Sequence, residues 1–164
     1  GAELGHPNEI AINQFIAHHS VIFQPEKKLM WVSTSPWQCG KYVAYDLNRI
    51  FSDSIDFNHE IYTGDLTLPA DSFLQQQEYQ QLMTYKRLAP VLRKQIKKKE
   101  RLDEQTLHAF QHANPHFFYV YELLGDYYHA TGQQDKALRN WKKALLLPIP
   151  KRSESERIEH KINN

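Results

Sequence analysis

Residues 121–144, which read YELLGDYYHATGQQDKALRNWKKA, decide the fold of the C-terminal half. Counted from Leu124, a glycine follows at +1, a tyrosine at +4, an alanine at +13, a tryptophan at +17 and a second alanine at +20. These spacings predict two short antiparallel helices that pack small residues against large ones. Thr131-Gly132 is expected to end the first helix, because glycine is the usual residue just after a helix C-terminus.

The pattern resembles the tetratricopeptide repeat. The residues that carry the resemblance are Tyr121, Leu124, Gly125, Tyr128, Ala137, Trp141 and Ala144. The resemblance implies that the small residues lie where the two helices cross and that the large ones fill the space beside them. One such unit cannot bury its own apolar face, so neighbouring helices are expected to complete a small stack. A groove for a peptide is the functional alternative to this packing role.

Several other segments predict helices around this unit. Ser72 and Gln75 form a capping-box pattern before one long helix, which Pro90 is expected to kink or split. Asp103 is expected to cap a short helix that ends near residue 113. Asn114-Pro115 is expected to open the first helix of the repeat, and Ser153 with Glu156 to open a final helix.

The N-terminal part has the sequence signals of strands. Two β-rich stretches, 16–23 and 29–33, flank the segment 24–28, whose proline and charged residues predict a hairpin loop. Residues 40–47 are expected to be extended. The segment 52–69 mixes Asp, Asn, Gly and Pro with few periodic apolar residues and predicts a loop or connection.

Composition limits the class of protein. The chain has 164 residues, 41% apolar and 12% aromatic, which is enough for a folded core. It has no apolar run long enough to span a membrane, and its formal net charge of +1 does not indicate nucleic-acid binding. No glycine-rich phosphate loop or Cys-x-x-Cys pair occurs, so we expect no cofactor and no metal.

Some charged and histidine-rich segments have two readings. The basic run comprises Arg93, Lys94, Lys97, Lys98, Lys99 and Arg101. It is a phosphate or acidic-partner patch, or a solvated helix end whose cations favour the helix dipole, and we prefer the second. His108 and His112 have helical spacing but lack a third ligand, while His18 and His19 would point to opposite faces of a strand.

The N-terminal part is similar to the closing stretch of the acyl-coenzyme A:6-aminopenicillanic acid acyltransferase family. The similarity covers roughly residues 10–50, and the segments that carry it are HHSVIFQP (18–25), LMWVS (29–33) and SPWQCGKYVAYDL (35–47). Members are N-terminal-nucleophile amidohydrolases with an αββα sandwich. The resemblance implies an amide-cleaving or acyl-transferring parent protein whose nucleophilic cysteine becomes the first residue after self-cleavage.

Cys39 cannot be that nucleophile, because it is internal and has no free α-amine. The resemblance therefore places the nucleophile in an upstream segment, and this chain alone is expected to be inactive. It also implies that Asn13 helps to hold the reacting carbonyl oxygen, as an amide N–H can stabilise an oxyanion. The alternative for Asn13 is a turn or strand cap, which we prefer.

These expectations define an α+β chain in two domains. Residues 2–70 would be a small sheet remnant of the sandwich, and residues 71–164 a helical, tetratricopeptide-like domain. The expected partner is the upstream catalytic segment of the same protein. Strands removed from a larger sheet expose an edge and an apolar face, so the isolated chain is expected to form a homodimer through Val21, Phe23, Trp31 and Val32.

Overall fold

The structure is a computed structural model that describes residues 2–6, 8–10, 17–52, 56 and 58–163. The chain forms two compact units. The helical unit comprises Gly1–Gln14 and Gln77–Asn164, and the sheet unit comprises Phe15–Gln76. Along the chain, the boundary between the units falls between residues 76 and 77, and Gly1–Gln14 are grouped with the helical unit.

The sheet unit contains a three-stranded antiparallel sheet of order β1-β2-β3. Its strands are β1 (Val21–Gln24), β2 (Leu29–Ser33) and β3 (Tyr42–Asp46). Together with the helices described below, the sheet confirms a mixed α+β fold that is mostly helical. β1 is shorter than the predicted stretch: residues 17–20 form no strand, and the predicted first residue, Ile16, lies outside the described part of the chain.

The hairpin between β1 and β2 turns where the sequence predicts. Pro25–Lys27 form one turn of 3-10 helix, and the Lys28 N–H donates to the Pro25 carbonyl at 3.0 Å. Proline ends the strand because it has no N–H to give to the ladder. Lys28 has a left-handed backbone with φ of 52°, which reverses the chain into β2.

The two faces of the sheet have different surroundings. Directly paired residues share a face, and in β1–β2 these pairs include Val21 with Val32 and Phe23 with Met30. We call this the open face, and its residues are Val21, Phe23, Met30, Val32, Val43 and Tyr45. None of the six is buried. The prediction that Trp31 shares this face is wrong, because successive strand residues alternate and Trp31 pairs with Ala44 on the other side.

The segment after β3 bonds to the outer edge of β3 and contacts the second face of the sheet at Trp31. It begins with a short helix, α1 (Leu47–Ile50), and includes a 3-10 turn, Gly64–Leu66. Trp31 Nε1 donates to the Leu66 carbonyl at 2.8 Å, and the Thr63 N–H donates to the Ala44 carbonyl at 2.8 Å. On this face Ala44 is fully buried, whereas Ile22 of β1 is exposed.

Five further helices form the helical unit. They are α2 (Gln77–Lys98), α3 (Glu104–Ala113), α4 (Phe118–Ala130), α5 (Gln134–Leu145) and α6 (Arg152–Asn163). Within the described ranges, no helix combines the length and apolarity needed to cross a membrane.

The long helix differs from its prediction at its start and at its proline. Ser72 and Gln75 do not cap it: they belong to a separate 3-10 turn, whose N-cap is Asp71, and α2 begins only at Gln77. Pro90 does not split α2, which is one helix of 22 residues with the proline inside it. Leu88 and Leu92 on either side of the proline are buried, and this packing offsets the one backbone hydrogen bond that proline removes.

The other helix starts follow the capping predictions only in part. The Asp103 carboxylate accepts from the Thr106 N–H at 2.7 Å, which confirms its cap on α3. Asn114 does not cap α4, because its side chain bonds to the His6 backbone instead and the helix begins at Phe118. Ser153 lies inside α6, which begins at Arg152.

Candidate functional site

A hollow of about 390 Å³ at one end of the sheet is the candidate site of the sheet unit. We call it the histidine hollow, and it is lined by His18, His19, Ser35, Pro36 and Trp37. Because β1 and β2 are antiparallel, the residues before β1 and those after β2 meet at the same end of the sheet. Ser20 and Ser33 connect these two segments: the Ser20 N–H donates to Ser33 Oγ at 2.7 Å, and the Ser33 N–H donates to the Ser20 carbonyl at 2.9 Å.

Both histidines line this hollow, contrary to the prediction that they point to opposite sides. The prediction assumed a strand, but residues 17–20 precede β1 and have no strand conformation. The alternation of side chains along a strand therefore does not apply to His18 and His19.

The tryptophan of the histidine hollow has an uncommon backbone. Trp37 has φ of 50°, in the left-handed region that bulky residues rarely adopt. The surrounding turn imposes it: the Cys39 N–H donates to the Pro36 carbonyl at 3.0 Å, and the Gly40 N–H to the Thr34 carbonyl at 3.1 Å. Such strain costs on the order of 1–3 kcal/mol and is concentrated at functional sites.

The lining of the hollow suits a planar polar group. An imidazole offers one donor and one acceptor, a serine hydroxyl offers both, and an indole ring offers a flat apolar wall. An amide has one N–H donor and one C=O acceptor, which these groups can hydrogen-bond, and His18, His19 and Ser35 are exposed at the surface. The predicted oxyanion residue, Asn13, lies outside the described residues.

Cys39 has the environment of an unreactive thiol. It is 3% exposed, and burial, together with the negative charge of Asp71, raises the pKa of the thiol. The thiolate is the nucleophilic form of cysteine, so both effects reduce its reactivity at neutral pH. The burial of the thiol and its raised pKa are thus a second reason against a catalytic role for Cys39, beside its lack of a free α-amine.

The histidine pair of α3 supplies two ligands at most. His108 and His112 lie on an exposed face with ring centroids 3.9 Å apart, whereas His116 follows the end of the helix. Within residues 2–6, 8–10, 17–52, 56 and 58–163, no three His, Cys, Asp or Glu side chains come together as a metal site. Zinc sites need three or four protein ligands.

The residues of the predicted repeat lie between α4 and α5. Six of the seven are buried: Tyr121, Leu124, Gly125, Ala137, Trp141 and Ala144. Tyr128 is half-buried. A Cβ at Gly125 would overlap Cγ, Cδ1 and Nε1 of Trp141, so this position requires the absence of a side chain.

A Schellman motif ends α4 where Thr131-Gly132 predicts a stop. The Gly132 N–H donates to the His129 carbonyl at 3.1 Å, and the Gln133 N–H donates to the Tyr128 carbonyl at 2.8 Å. Gly132 has φ of 78°, which glycine adopts without penalty.

An ion-pair network around the buried Glu122 joins α4 to α6, and the sequence signals had not led us to it. Arg157 donates twice to the Glu122 carboxylate at 2.8 Å, and Lys161 Nζ contacts both Glu122 at 2.7 Å and Asp126 at 2.8 Å. Burial alone would raise the pKa of Glu122, but these hydrogen bonds and charges lower it overall. The sequence does contain a signal for this network: Glu122 and Asp126 are four positions apart on one helix, and the two basic residues, Arg157 and Lys161, are four apart on the other.

A second hollow, of about 460 Å³, lies beside this network. We call it the helical hollow, and it is lined by Ile96, Asp126, His129, Ala130, Trp141, His160 and Lys161. Trp141 Nε1 donates to the Asp126 carboxylate at 3.0 Å and forms part of its wall. Its lining is mainly apolar with a few charged groups, which is typical of ligand sites.

The basic run lies at the end of α2. All six of its side chains are exposed, and Lys98 pairs with Glu100 at 3.6 Å. Cations at this end of a helix favour its dipole and stay solvated.

Comparison with known proteins identifies no relative. No protein-family model, no curated protein and no solved structure matches this chain.

Proposed function

We propose that this chain is the C-terminal portion of an N-terminal-nucleophile amidohydrolase or acyltransferase that acts on a non-peptide or small peptide amide bond. The proposal starts from the resemblance of residues 10–50 to the penicillin acyltransferase family. In this proposal the sheet belongs to an αββα sandwich, and the nucleophilic cysteine is supplied by an upstream segment of the same protein.

One observation carries the proposal: the open face consists of six apolar side chains, and none of them is buried. Three antiparallel strands need a second layer to bury such a face. A sandwich supplies that layer, because each of its sheets packs one face against the other sheet at about 10 Å. The motif segments of the resemblance form these same strands.

The histidine hollow has a place in this proposal. It lies between two of the motif segments, HHSVIFQP and SPWQCGKYVAYDL, and its groups can hydrogen-bond an amide. We therefore assign it to the wall of the substrate site, where it would orient the amide rather than attack it.

The proposal is tested on the longer protein that contains this sequence. We expect mass spectrometry to show self-cleavage before an upstream cysteine, and the mature protein to hydrolyse a panel of acyl amides. Asn13→Ala should lower kcat by about a hundredfold or more if Asn13 holds the oxyanion, whereas Asn48→Ala, at an exposed position, should leave kcat unchanged. A full-length protein without a processed cysteine or amidase activity would refute the proposal.

The isolated chain offers a second test. Among the described residues no strand pairs with the outer edge of β1, where Phe23 is 61% exposed, so the chain is expected to dimerise through this edge and the open face. Sedimentation should show a dimer that Phe23→Lys weakens and that Lys94→Glu, on the helical unit, does not. A monomer at high concentration would contradict this expectation.

A non-enzymatic protein-binding scaffold is the second candidate. The helical hollow favours it, because the hollow combines an indole wall with charged groups at its rim. In this proposal α4 and α5 form one tetratricopeptide-like unit. Further repeats of this kind in the longer protein, without an upstream processed cysteine, would favour the scaffold over the enzyme.

A further inference from the structure

The N-terminal segment of the chain is bound to the helical unit by side chains that are remote in sequence. Asn114, between α3 and α4, accepts a hydrogen bond from the His6 N–H at 3.1 Å through Oδ1, and its Nδ2 donates to the His6 carbonyl. Both polar groups of one amide therefore bond to the backbone of one residue. Asn114 is only 4% exposed, so this contact occurs out of water.

The Asn114 amide contacts only the backbone N–H and C=O of His6, the donor and acceptor that every residue except proline carries. The His6 side chain is itself half-buried. A carboxamide that bonds in this way can bind the backbone of an extended segment or of a turn. Selectivity must come from the neighbouring positions of the segment.

Gly5 is the first selective position. It has φ of 73°, and a Cβ built there would lie 2.5–2.6 Å from the N, Cα and Cβ atoms of Phe117. Two of these atoms belong to the backbone and cannot rotate away. Any residue with a side chain is therefore excluded by both its φ and its contact.

Asn8 is the second selective position. It is 2% exposed, and its Nδ2 donates to the Leu4 carbonyl at 3.0 Å and to the Pro148 carbonyl, which follows α5, at 3.1 Å. Its Oδ1 accepts from the Ile10 N–H at 3.0 Å. An aspartate would bring a carboxylate against two carbonyl oxygens, so an amide is required here.

A turn sets the spacing between the two selective positions. The Asn8 N–H donates to the Gly5 carbonyl at 3.0 Å, which closes a four-residue turn. Glu9 then pairs with Lys151 at 2.6 Å, but both side chains are about half exposed and the pair adds little. The contacts of the described residues therefore select glycine at position 5 and asparagine at position 8.

We propose that the notch formed by Asn114, Phe117 and Pro148 is a peptide-recognition site specific for a turn that carries glycine and, three positions later, asparagine, and that Gly5, His6 and Asn8 of this chain occupy it in cis. The site is separate from both hollows described above. A segment with the same turn, offered in trans, competes with the cis segment for it.

The test uses the full chain and a fluorescent peptide of residues 2–10, AELGHPNEI, in anisotropy titrations. Gly5→Val in the protein should release the cis segment and strengthen peptide binding by roughly tenfold or more relative to wild type. Adding Asn114→Ala should abolish that gain, while adding Asn140→Ala, on α5, should not. The same peptide carrying Gly5→Val should not bind. Equal binding of the peptide to wild type and to a folded Gly5→Val variant would overturn the proposal.

Hydrogen exchange in the wild-type chain provides a measurement that does not depend on the Gly5 variant. The His6 amide should be protected, and Asn114→Ala should reduce that protection by roughly tenfold or more while the α4 amides remain protected. Exchange of the wild-type His6 amide at the rate of an unstructured peptide would also overturn the proposal.

Discussion

Replacing Gly125 with alanine sets helix propensity against packing. Alanine is better than glycine in a helix interior by about 1 kcal/mol, so an unhindered site would be stabilised. Here the new Cβ would overlap Trp141, and overpacking of this kind costs about 1–3 kcal/mol. Moving the indole also breaks its 3.0 Å bond to the Asp126 carboxylate, which is worth about 1.5–3 kcal/mol.

We expect Gly125→Ala to lower the free energy of unfolding by about 2 kcal/mol. This is near the low end of the sum of the three effects, because the Asp126 side chain is partly exposed and water can replace the indole as its hydrogen-bond donor. Urea unfolding followed by far-UV circular dichroism measures it, since the helices dominate this signal. In a Trp141→Ala background the obstacle is gone, and the same replacement should stabilise the protein by about 1 kcal/mol. A Gly125→Ala protein that is more stable than wild type would refute the packing argument.

Three further predictions concern single side chains. The pKa of Glu122 is lower in the folded state than its ordinary value, so its contribution to stability is present above the ordinary glutamate pKa and is lost as the pH falls through the lowered value. Glu122→Gln should therefore flatten the dependence of the urea midpoint on pH in this acidic range. Asp103→Ala should cost about 1 kcal/mol by removing the cap of α3, and Asp103→Asn should restore most of it, as thermal melts would show. Cys39 should react with a thiol reagent at least about tenfold more slowly in the folded protein than in urea, and equal rates would contradict its burial.

Local signals predicted the elements that local physics controls. The hairpin followed from Pro25 between two β-branched runs, and the stop of α4 followed from Gly132, because each signal acts within a few residues. Helical spacing placed Gly125 and Trp141 on two neighbouring helices, and the resemblance to the repeat implied which of their faces pack together. These features need no knowledge of the rest of the chain.

Features that depend on distant partners were not predictable in this way. Asn114 looked like a helix cap, but its amide bonds to His6, which precedes it by 108 positions. The pairing of Glu122 with Arg157 required knowing that α4 and α6 are neighbours. His18 and His19 were assigned to a strand that begins only after them, so their shared hollow could not be foreseen.

The binding of residues 2–10 by the helical unit has a consequence for the sheet unit. The sheet unit, Phe15–Gln76, is inserted as one long loop between two segments of the helical unit, and the Asn8 and Asn114 contacts hold the first of these segments to the second. Closing a loop of this length by a disulfide would reduce the entropy of its unfolded state by about 4 kcal/mol at 25 °C. While the Asn8 and Asn114 contacts hold, they act as such a cross-link. Loosening them would therefore destabilise the strands without altering any strand residue.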